Sequence, residues 1–256
     1  MQTERVSADN RPPDAAHIAA WAAILCGADG AEERLGDCAG EKDIPAGLRR
    51  RLGSLGRMGV ACGLGVAPQG DADIVFCSRH GDISLAHQLL TALVAGEPMS
   101  PAGFSMSVHN TVPGVLDLAR KARVGHTAIA AGAQTLSAGL VEAWLRLVAR
   151  PHLDVVLIYA EMPLPDFYEQ FMDGDLGGTA LALRLSAARG EGTLLSLSPE
   201  DGRPPPSALP LVDEPSAEFL ARELVSRLRG QVASPEMCWR SQGFRWSFGS
   251  AANAAS

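Results

Sequence analysis

Apolar and polar residues form their clearest pattern between Gly125 and Glu161, where two short apolar runs flank one long amphipathic segment. The first run, 126–131, is too short for a buried helix and is followed by a glycine, so it predicts a strand. Apolar residues recur at helical spacing through 134–150, which predicts a helix with one buried face. The second run, 154–159, is β-branched and lacks polar alternation, as in a strand covered on both faces. The pattern therefore predicts a β-α-β crossover with a tight, glycine-assisted bend, which we call the elbow, between the first strand and the helix.

An elbow of this kind is where many α/β enzymes place a nucleophile, because the unpaired N–H groups and the dipole of the helix N-terminus stabilise an anion. A cysteine at this point would have a lowered pKa and would accept an acyl group. The residue in this chain is Gln134. Since an amide cannot form a thioester, the elbow has the place of a nucleophile without the nucleophile.

The same stretch resembles the N-terminal half of a β-ketoacyl synthase: Gly125, eight residues, Gln134, an apolar helix, Asp154-Val-Val-Leu and a closing Glu161. The resemblance covers about residues 15–190 and implies an α/β, thiolase-like fold. For this chain that means one half of the fold, an α-β-α sandwich with a mixed five-stranded sheet. The active cysteine of the family aligns with Gln134 without a gap. Glutamine in that place is the pattern of chain-length factors, the partner subunits of certain polyketide synthases.

Three further segments, 48–58, 76–82 and 100–110, are similar to ketosynthase-like proteins that accompany the synthesis of aryl polyenes and related pigments. In the resembled family the third segment lies near the dimer interface and the acyl tunnel. The resemblance therefore implies tunnel-lining or interface roles, with no catalytic residue, for a set of side chains: His87, Phe104, Met106, Ser107, His109, Asn110 and Gln134.

A full ketosynthase is a tandem of two similar halves, and its second half carries two histidines that bind and decarboxylate the extender thioester. This chain of 256 residues has six histidines, and none of them follows residue 190. By this comparison it lacks both the acyl acceptor and the decarboxylation pair, so we expect that it does not condense acyl chains by itself.

Two functional hypotheses follow. In the first, the chain is a catalytically silent subunit that forms a heterodimer with an active β-ketoacyl synthase, shapes the acyl tunnel in polyene or fatty-acid-like polyketide biosynthesis, and meets the acyl carrier protein through that complex. In the second, the chain is a malonyl-thioester decarboxylase in which the amide of Gln134 stabilises the enolate. A donor aimed at an oxyanion lowers a barrier by about 3–4 kcal/mol.

A third hypothesis, an acyl hydrolase that uses Cys77 or Ser107, has less support. Cys77 lies within the apolar strand predicted at 73–78, where a cysteine is usually an inert core residue. Ser107 and His109 are expected on a strand, two residues apart and pointing the same way, a geometry that need not yield a hydrogen-bonded pair. The sequence also contains no Gly-x-Ser-x-Gly motif.

Composition narrows the choice of partners. A formal net charge of −7 argues against nucleic acid as the main partner. Five cysteines without a CxxC motif predict reduced thiols and no zinc site. We expect no cofactor. No apolar run approaches the ~18 residues that span a bilayer, and the N-terminal residues are polar, so we expect a cytoplasmic protein without a membrane span.

The run 49–51 of three arginines has two interpretations. It is either an anion site or, the favoured interpretation, the basic start of a helix whose apolar residues pack inward.

Along the chain we predict a peripheral or disordered segment at 1–14, the ketosynthase-like domain at 15–198 and a proline-rich linker at 199–215. A C-terminal helix and an aromatic tail at 216–256 are expected to pack on the domain or on a partner. Two strands, 179–187 and 193–198, are expected to form a hairpin.

Overall fold

The structure is a computed structural model that describes residues 15–27, 29–68, 70–122, 124–172, 177–187, 193–199, 211–232 and 234–250. Its strands are β1 (Ala15–Cys26), β2 (Glu32–Gly36), β3 (Ala72–Cys77), β4 (His126–Ile129), β5 (Asp154–Glu161), β6 (Thr179–Ser186), β7 (Thr193–Pro199), β8 (Leu211–Asp213), β9 (Met237–Ser241) and β10 (Phe244–Ser250). Its helices are α1 (Ala46–Arg49), α2 (Ser54–Val66), α3 (Ile83–Val94), α4 (Pro101–Met106), α5 (Thr111–Arg120), α6 (Thr135–Ala149) and α7 (Ala217–Leu228). None of the described helices is both long and apolar enough to cross a membrane.

The described strands belong to one sheet in the order β4-β3-β5-β6-β1-β7-β10-β9-β8, with β2 also paired to β1. Strands β4, β3 and β5 run parallel, and β6 lies antiparallel between β5 and β1. These five strands form the mixed sheet that the resemblance implied, and β4-α6-β5 is the predicted crossover. The sheet then continues beyond β1 through the C-terminal strands.

Both faces of the five-stranded part are covered, because successive side chains of a strand point to opposite faces. On one face Phe76 and Ile158 pack with α2 and α5. On the other face Val75, Leu157 and Tyr159 pack with α6 and α7. Burial on both sides is why β3 and β5 read as continuous apolar runs in the sequence.

The C-terminal strands pack on the same helix pair as the N-terminal sheet. Trp239 and Trp246 are stacked with ring centroids 5.7 Å apart, and Trp246 meets Trp144 of α6 edge-on at 6.5 Å. Met237 of β9 and Phe248 of β10 belong to the apolar cluster that contains α6 and α7. The described part of the predicted aromatic tail therefore lies in the core of this chain, and α6 and α7 contact both parts of the sheet.

The hairpin predicted for β6 and β7 is wrong. Both strands form, but β1 lies between them: Trp21 pairs with Leu183 of β6, and Ala16 pairs with Leu195 of β7. At 12 residues β1 is long enough to pair with β6 along one edge and with both β7 and β2 along the other. Closeness in sequence predicted the hairpin, whereas burial of the apolar residues of β1 decided the pairing.

Some predicted segments fall outside the described residues. These are the N-terminal segment 1–14, the turn at 188–192 and residues 200–210 of the linker predicted at 199–215. The last residues of that linker include β8, which pairs in parallel with β9.

The close approach of α6 to the sheet yields a test of this packing. A Cβ atom added at Gly139 would overlap the sulfur of Cys77 and would lie 3.2 Å from Cδ1 of Leu157. We expect Gly139→Ala to lower the free energy of unfolding by about 1–3 kcal/mol because of overpacking. Urea denaturation measures the change.

Gly114→Ala on α5 is the matched control, since a Cβ there meets no atom within 4 Å. It is expected to raise stability slightly through helix propensity. Combining Gly139→Ala with Cys77→Ala removes the overlapping sulfur and should restore most of the loss. If Gly139→Ala alone is as stable as the wild type, the packing described here is wrong.

Candidate functional site

The elbow between β4 and α6 is a single 3-10 turn, Gly132–Gln134. Gly132 has φ +57°, a left-handed conformation that glycine adopts without steric cost. Thr135 fastens the turn from within, because its hydroxyl donates to the carbonyl of Gly132 (2.7 Å) and accepts from the N–H of Ala131 (2.9 Å). Gln134 is the N-cap residue of α6. The structure thus places Gln134 at a strand-to-helix bend, as the pattern predicted.

The side chain of Gln134 bonds to the C-terminal strands. Its Nε2 donates to the backbone carbonyl of Glu214 (3.3 Å), the residue after β8. Its Oε1 accepts from the hydroxyl of Ser241, the last residue of β9. Ser241 is fully buried, and Glu214 holds a left-handed φ of +41°. The amide therefore joins the elbow to a part of the chain that is distant in sequence.

A pocket of about 90 Å³ lies beside the elbow. Gly132 and Ala133 form one wall, and the first turn of α7 forms another. Apolar side chains from the segment that follows β5 make up much of the remaining lining: Met162, Pro163, Leu164, Phe171 and Met172. The pocket is at the carboxyl end of β5, where ligands of open α/β sheets commonly bind. Neither Gln134 nor any cysteine is among the described residues that line it.

Glu161, the last residue of β5, is a half-buried acid that lines this pocket. Its carboxylate accepts hydrogen bonds from the backbone N–H of Arg79 (2.7 Å), the N–H of His80 (3.3 Å) and the hydroxyl of Ser78 (3.2 Å). Burial raises the pKa of Glu161 to about 7, although these three donors oppose the rise. The carboxylate fastens the end of β5 to the turn that follows β3.

A second carboxylate, Glu218 of α7, lines the pocket beside Glu161. It accepts from the hydroxyls of Thr179 (2.6 Å) and Tyr159 (3.2 Å) and from Nε of Arg222 (2.7 Å). Burial raises the pKa of Tyr159, and the charge of Glu218 adds to that effect. Glu218 thereby attaches the start of α7 to β5 and β6, so this acid already has partners within the chain.

Ser107 and His109 do not lie on a strand, which corrects the sequence prediction. Ser100 caps helix α4 by accepting from the N–H of Gly103 (3.1 Å), and Pro101 starts that helix. Ser107 then bonds to the carbonyl of Phe104 (2.9 Å), whereas Nε2 of His109 lies 2.8 Å from the carbonyl oxygen of Ser78. The two side chains therefore bond to different carbonyl groups and form no Ser–His pair.

The other predicted lining residues lie apart from the pocket beside the elbow. Met106 and His109 line a second space of only about 10 Å³ against α2. Asn110 is the exposed N-cap of α5, and Phe104 is 61% exposed. His87 of α3 packs against the rings of Phe167 and Tyr168, 5.5 Å from each centroid. Their role as tunnel or interface residues stays a prediction.

Two remaining predictions concern cysteine and metal chemistry. Cys77 is fully buried in β3, and burial raises the pKa of its thiol. No group of three or more His, Cys, Asp or Glu side chains among the described residues is arranged to hold a metal ion.

Sequence reasoning missed the roles of Glu218 and Phe171 in lining the pocket, because no local pattern links either residue to the elbow.

The raised pKa of Glu161 predicts a pH-dependent stability. Its protonated form is favoured by folding, so the free energy of unfolding should fall as pH rises from 4.5, the unperturbed value, to about 7. The contribution of this one group is at most about 3 kcal/mol. Urea unfolding at a series of pH values should show a smaller fall for Glu161→Gln than for the wild type. Glu169→Gln, at an exposed glutamate, is the control; equal slopes in wild type and Glu161→Gln would contradict the assignment.

Comparison with known proteins places this fold in a family. The family model described as β-ketoacyl synthase, N-terminal domain, matches residues 30–247. Among solved structures, a chain of the ketosynthase ApeO in complex with its chain length factor ApeC from Xenorhabdus doucetiae is 27% identical with a TM-score of 0.67. That match covers 92% of this chain and 99% of the other. No curated protein sequence matches the chain significantly.

Two more distant structures share the fold. The ishigamide ketosynthase/chain length factor is 12% identical with a TM-score of 0.59, covering 91% of this chain and 98% of the other. PksG, an HMG-CoA synthase from Bacillus subtilis, is 8% identical with a TM-score of 0.52, covering 94% and 81%. Since the family model spans most of the 256 residues, the chain belongs to the β-ketoacyl synthase N-terminal domain family, and it has a thiolase-like fold.

Proposed function

We propose that this chain is a catalytically silent, ketosynthase-like subunit of the chain-length-factor type. It forms a heterodimer with an active β-ketoacyl synthase and shapes the acyl tunnel in polyene or fatty-acid-like polyketide biosynthesis. The observation that carries the proposal is Gln134 at the elbow, with both ends of its amide bonded to this chain. The 27% identity to a complex of a ketosynthase and its chain length factor supports it.

The side chain at the elbow is the reason for proposing that the subunit has no acyl-transfer activity. Acyl transfer in this family needs a thiolate at the helix N-terminus, and an amide cannot replace it. The sulfur of Cys77 lies within the sheet, where burial disfavours the thiolate. It is therefore a poor substitute for the missing nucleophile.

The open edge of the sheet supports the proposed heterodimer. Strand β4, which leads into the elbow, pairs with β3 on one side and with no described strand on the other. Its free backbone N–H and C=O groups are suited to pairing with a strand of another subunit. Such pairing would set the elbow next to the subunit boundary.

An exposed apolar surface also supports the proposed heterodimer. Helix α3 has no buried residue, although most of its side chains are apolar. Several large side chains between residues 90 and 108 are exposed to solvent: Leu90, Leu93, Val94, Met99, Phe104 and Val108. Val94 is 89% exposed. A concentration of large apolar side chains on the surface is typical of a protein interface.

The alternative function, a malonyl-thioester decarboxylase, receives no comparable support. An oxyanion donor must be aimed at an empty site where the negative charge develops. The amide of Gln134 instead donates to Glu214 and does not line the neighbouring pocket. We therefore do not propose decarboxylation.

The cationic residues around α1 and the start of α2 support docking of an acyl carrier protein. Leu52, Leu55 and Met58 are buried, as predicted, but Arg49 ends α1 and Arg50 and Arg51 lie between the two helices instead of starting one. Residues 41–57 hold five cationic and two acidic side chains, a net +3 in a chain of net charge −7, and we call their cationic members the arginine surface: Lys42, Arg49, Arg50, Arg51 and Arg57. None of these has a carboxylate partner among the described residues, whereas Arg240 pairs with Asp213 (2.9 Å). An acidic carrier protein fits this surface by charge.

Co-expression with the ketosynthase of the same gene cluster tests the heterodimer. We expect the two chains to co-purify, and we expect Leu90→Asp combined with Leu93→Asp to weaken association by at least about 10-fold, because a partner would bury these positions. Leu145→Asp on α6 is the control, since Leu145 is 56% exposed and Leu93 is 55% exposed. Size-exclusion chromatography and circular dichroism distinguish lost association from lost folding. A wild-type chain that stays monomeric and never co-purifies would refute the proposal.

Carrier-protein binding is tested separately on the purified heterodimer. We expect Arg50→Glu combined with Arg51→Glu to raise the Kd for the carrier protein by at least about 10-fold, with the heterodimer intact. Lys121→Glu, at another exposed cation, should leave the Kd unchanged. Titration calorimetry at two salt concentrations measures both values. An unchanged Kd for the double variant would exclude the arginine surface as the docking site.

A further inference from the structure

Two of the five cysteines are in contact. Cys38 lies in the loop after β2, and Cys62 lies on α2. The thiol of Cys62 is directed at the sulfur of Cys38. The thiol of Cys38 in turn donates to the carbonyl oxygens of Ala23 (3.1 Å) and Leu35 (3.2 Å). Cys62 is 0% exposed, whereas Cys38 is half-buried, so Cys38 is the more accessible residue of the pair.

The backbone holds the two cysteines together on both sides of this contact. The N–H of Ala39 donates to the carbonyl of Ala61 (3.1 Å), so the residues adjacent to the two cysteines are bonded to each other. Gly65, one turn further along α2, leaves room for the carbonyl of Asp37, which a Cβ atom would overlap. A disulfide needs this kind of close approach, with Cα atoms about 4.4–6.8 Å apart.

The two thiols differ in acidity. The hydrogen bond from Cys62 lowers the pKa of the Cys38 thiol to about 7, against the effect of burial. Burial raises the pKa of the Cys62 thiol. Cys38 is thus the more acidic thiol of the pair, and the thiolate is the form that attacks an oxidant.

We propose that Cys38 and Cys62 form a reversible dithiol–disulfide site that is oxidised by peroxide. The Cys38 thiolate attacks one oxygen of hydrogen peroxide, which becomes the sulfenic acid of Cys38 and a hydroxide ion. The sulfur of Cys62 then attacks the sulfenic sulfur. The S–S bond forms, the S–O bond breaks, and the hydroxyl leaves as water with the proton of Cys62. Two thiols are oxidised and one peroxide is reduced.

Neither Cys26 nor Cys77 shares this arrangement. Cys26 bonds to the thioether of Met58 (3.7 Å), which cannot form a disulfide. Cys77 belongs to the apolar cluster on the opposite face of the sheet from Cys62. Oxidation should therefore select one pair, and the bond would close a loop that contains α1 and the first two turns of α2.

Peptide mapping of the full chain tests the proposal. The folded protein is treated with hydrogen peroxide, its free thiols are blocked with N-ethylmaleimide in denaturant, and it is digested without reduction. Trypsin releases Cys38 in residues 35–42 but leaves Cys62 and Cys77 together in 58–79, so a second protease that cleaves before aspartate is needed to separate them. We expect mass spectrometry to find Cys38 joined to Cys62, dithiothreitol to reverse the bond, and the oxidised protein to melt about 5 °C higher.

Variants make the test specific. Cys62→Ser should leave Cys38 as a sulfenic acid that dimedone labels, and Cys38→Ser should abolish both the bond and the label. Cys26→Ser is the matched control at another half-buried cysteine, and it should retain the bond. The proposal is overturned if the wild type keeps both thiols free under these conditions, or if peroxide joins other cysteines equally well.

Discussion

The burial of helix α6 between two parts of one sheet is the constraint on which the structure depends. Leu136, Leu140 and Leu147 of this helix are fully buried, and Gly139 allows it to lie against β3 and β5. The C-terminal strands contact the same helix through Trp246. Since the N-terminus of α6 is the elbow, the packing of the helix fixes the position of Gln134 in space. The contacts that Gln134 makes depend on that position.

The elbow carries an amide where the resemblance to β-ketoacyl synthases implies a cysteine, and the amide bonds to distant parts of the chain. It bonds to the backbone after β8 and to the hydroxyl at the end of β9. A thiol at this position could not span both partners with a donor and an acceptor of comparable strength. In this chain the side chain at the elbow therefore joins segments that are distant in sequence.

Carboxylates organise the pocket beside the elbow. Glu161 fastens β5 to the turn after β3, and Glu218 fastens α7 to β5 and β6. Both acids are thus occupied by groups of this chain, and burial keeps Glu161 partly protonated near neutral pH. An acid held in this way stabilises the pocket walls.

The sequence by itself determined the crossover, the elbow and the place of Gln134 within it, because periodic burial of one helix face and unbroken apolar strands are local properties. It also indicated that the leucines around the arginines at 49–51 pack inward, but it wrongly placed a helix start at those arginines, since Arg49 ends α1 and α2 begins at Ser54. It did not determine that β1 separates β6 from β7, or that Ser107 and His109 follow a short helix instead of lying on a strand. Only the tertiary structure decided the partners of Gln134, which are 80 and 107 residues away, and the contact between Cys38 and Cys62. An apolar pattern states that a face is buried, but which distant segment covers it depends on the packing of the whole chain.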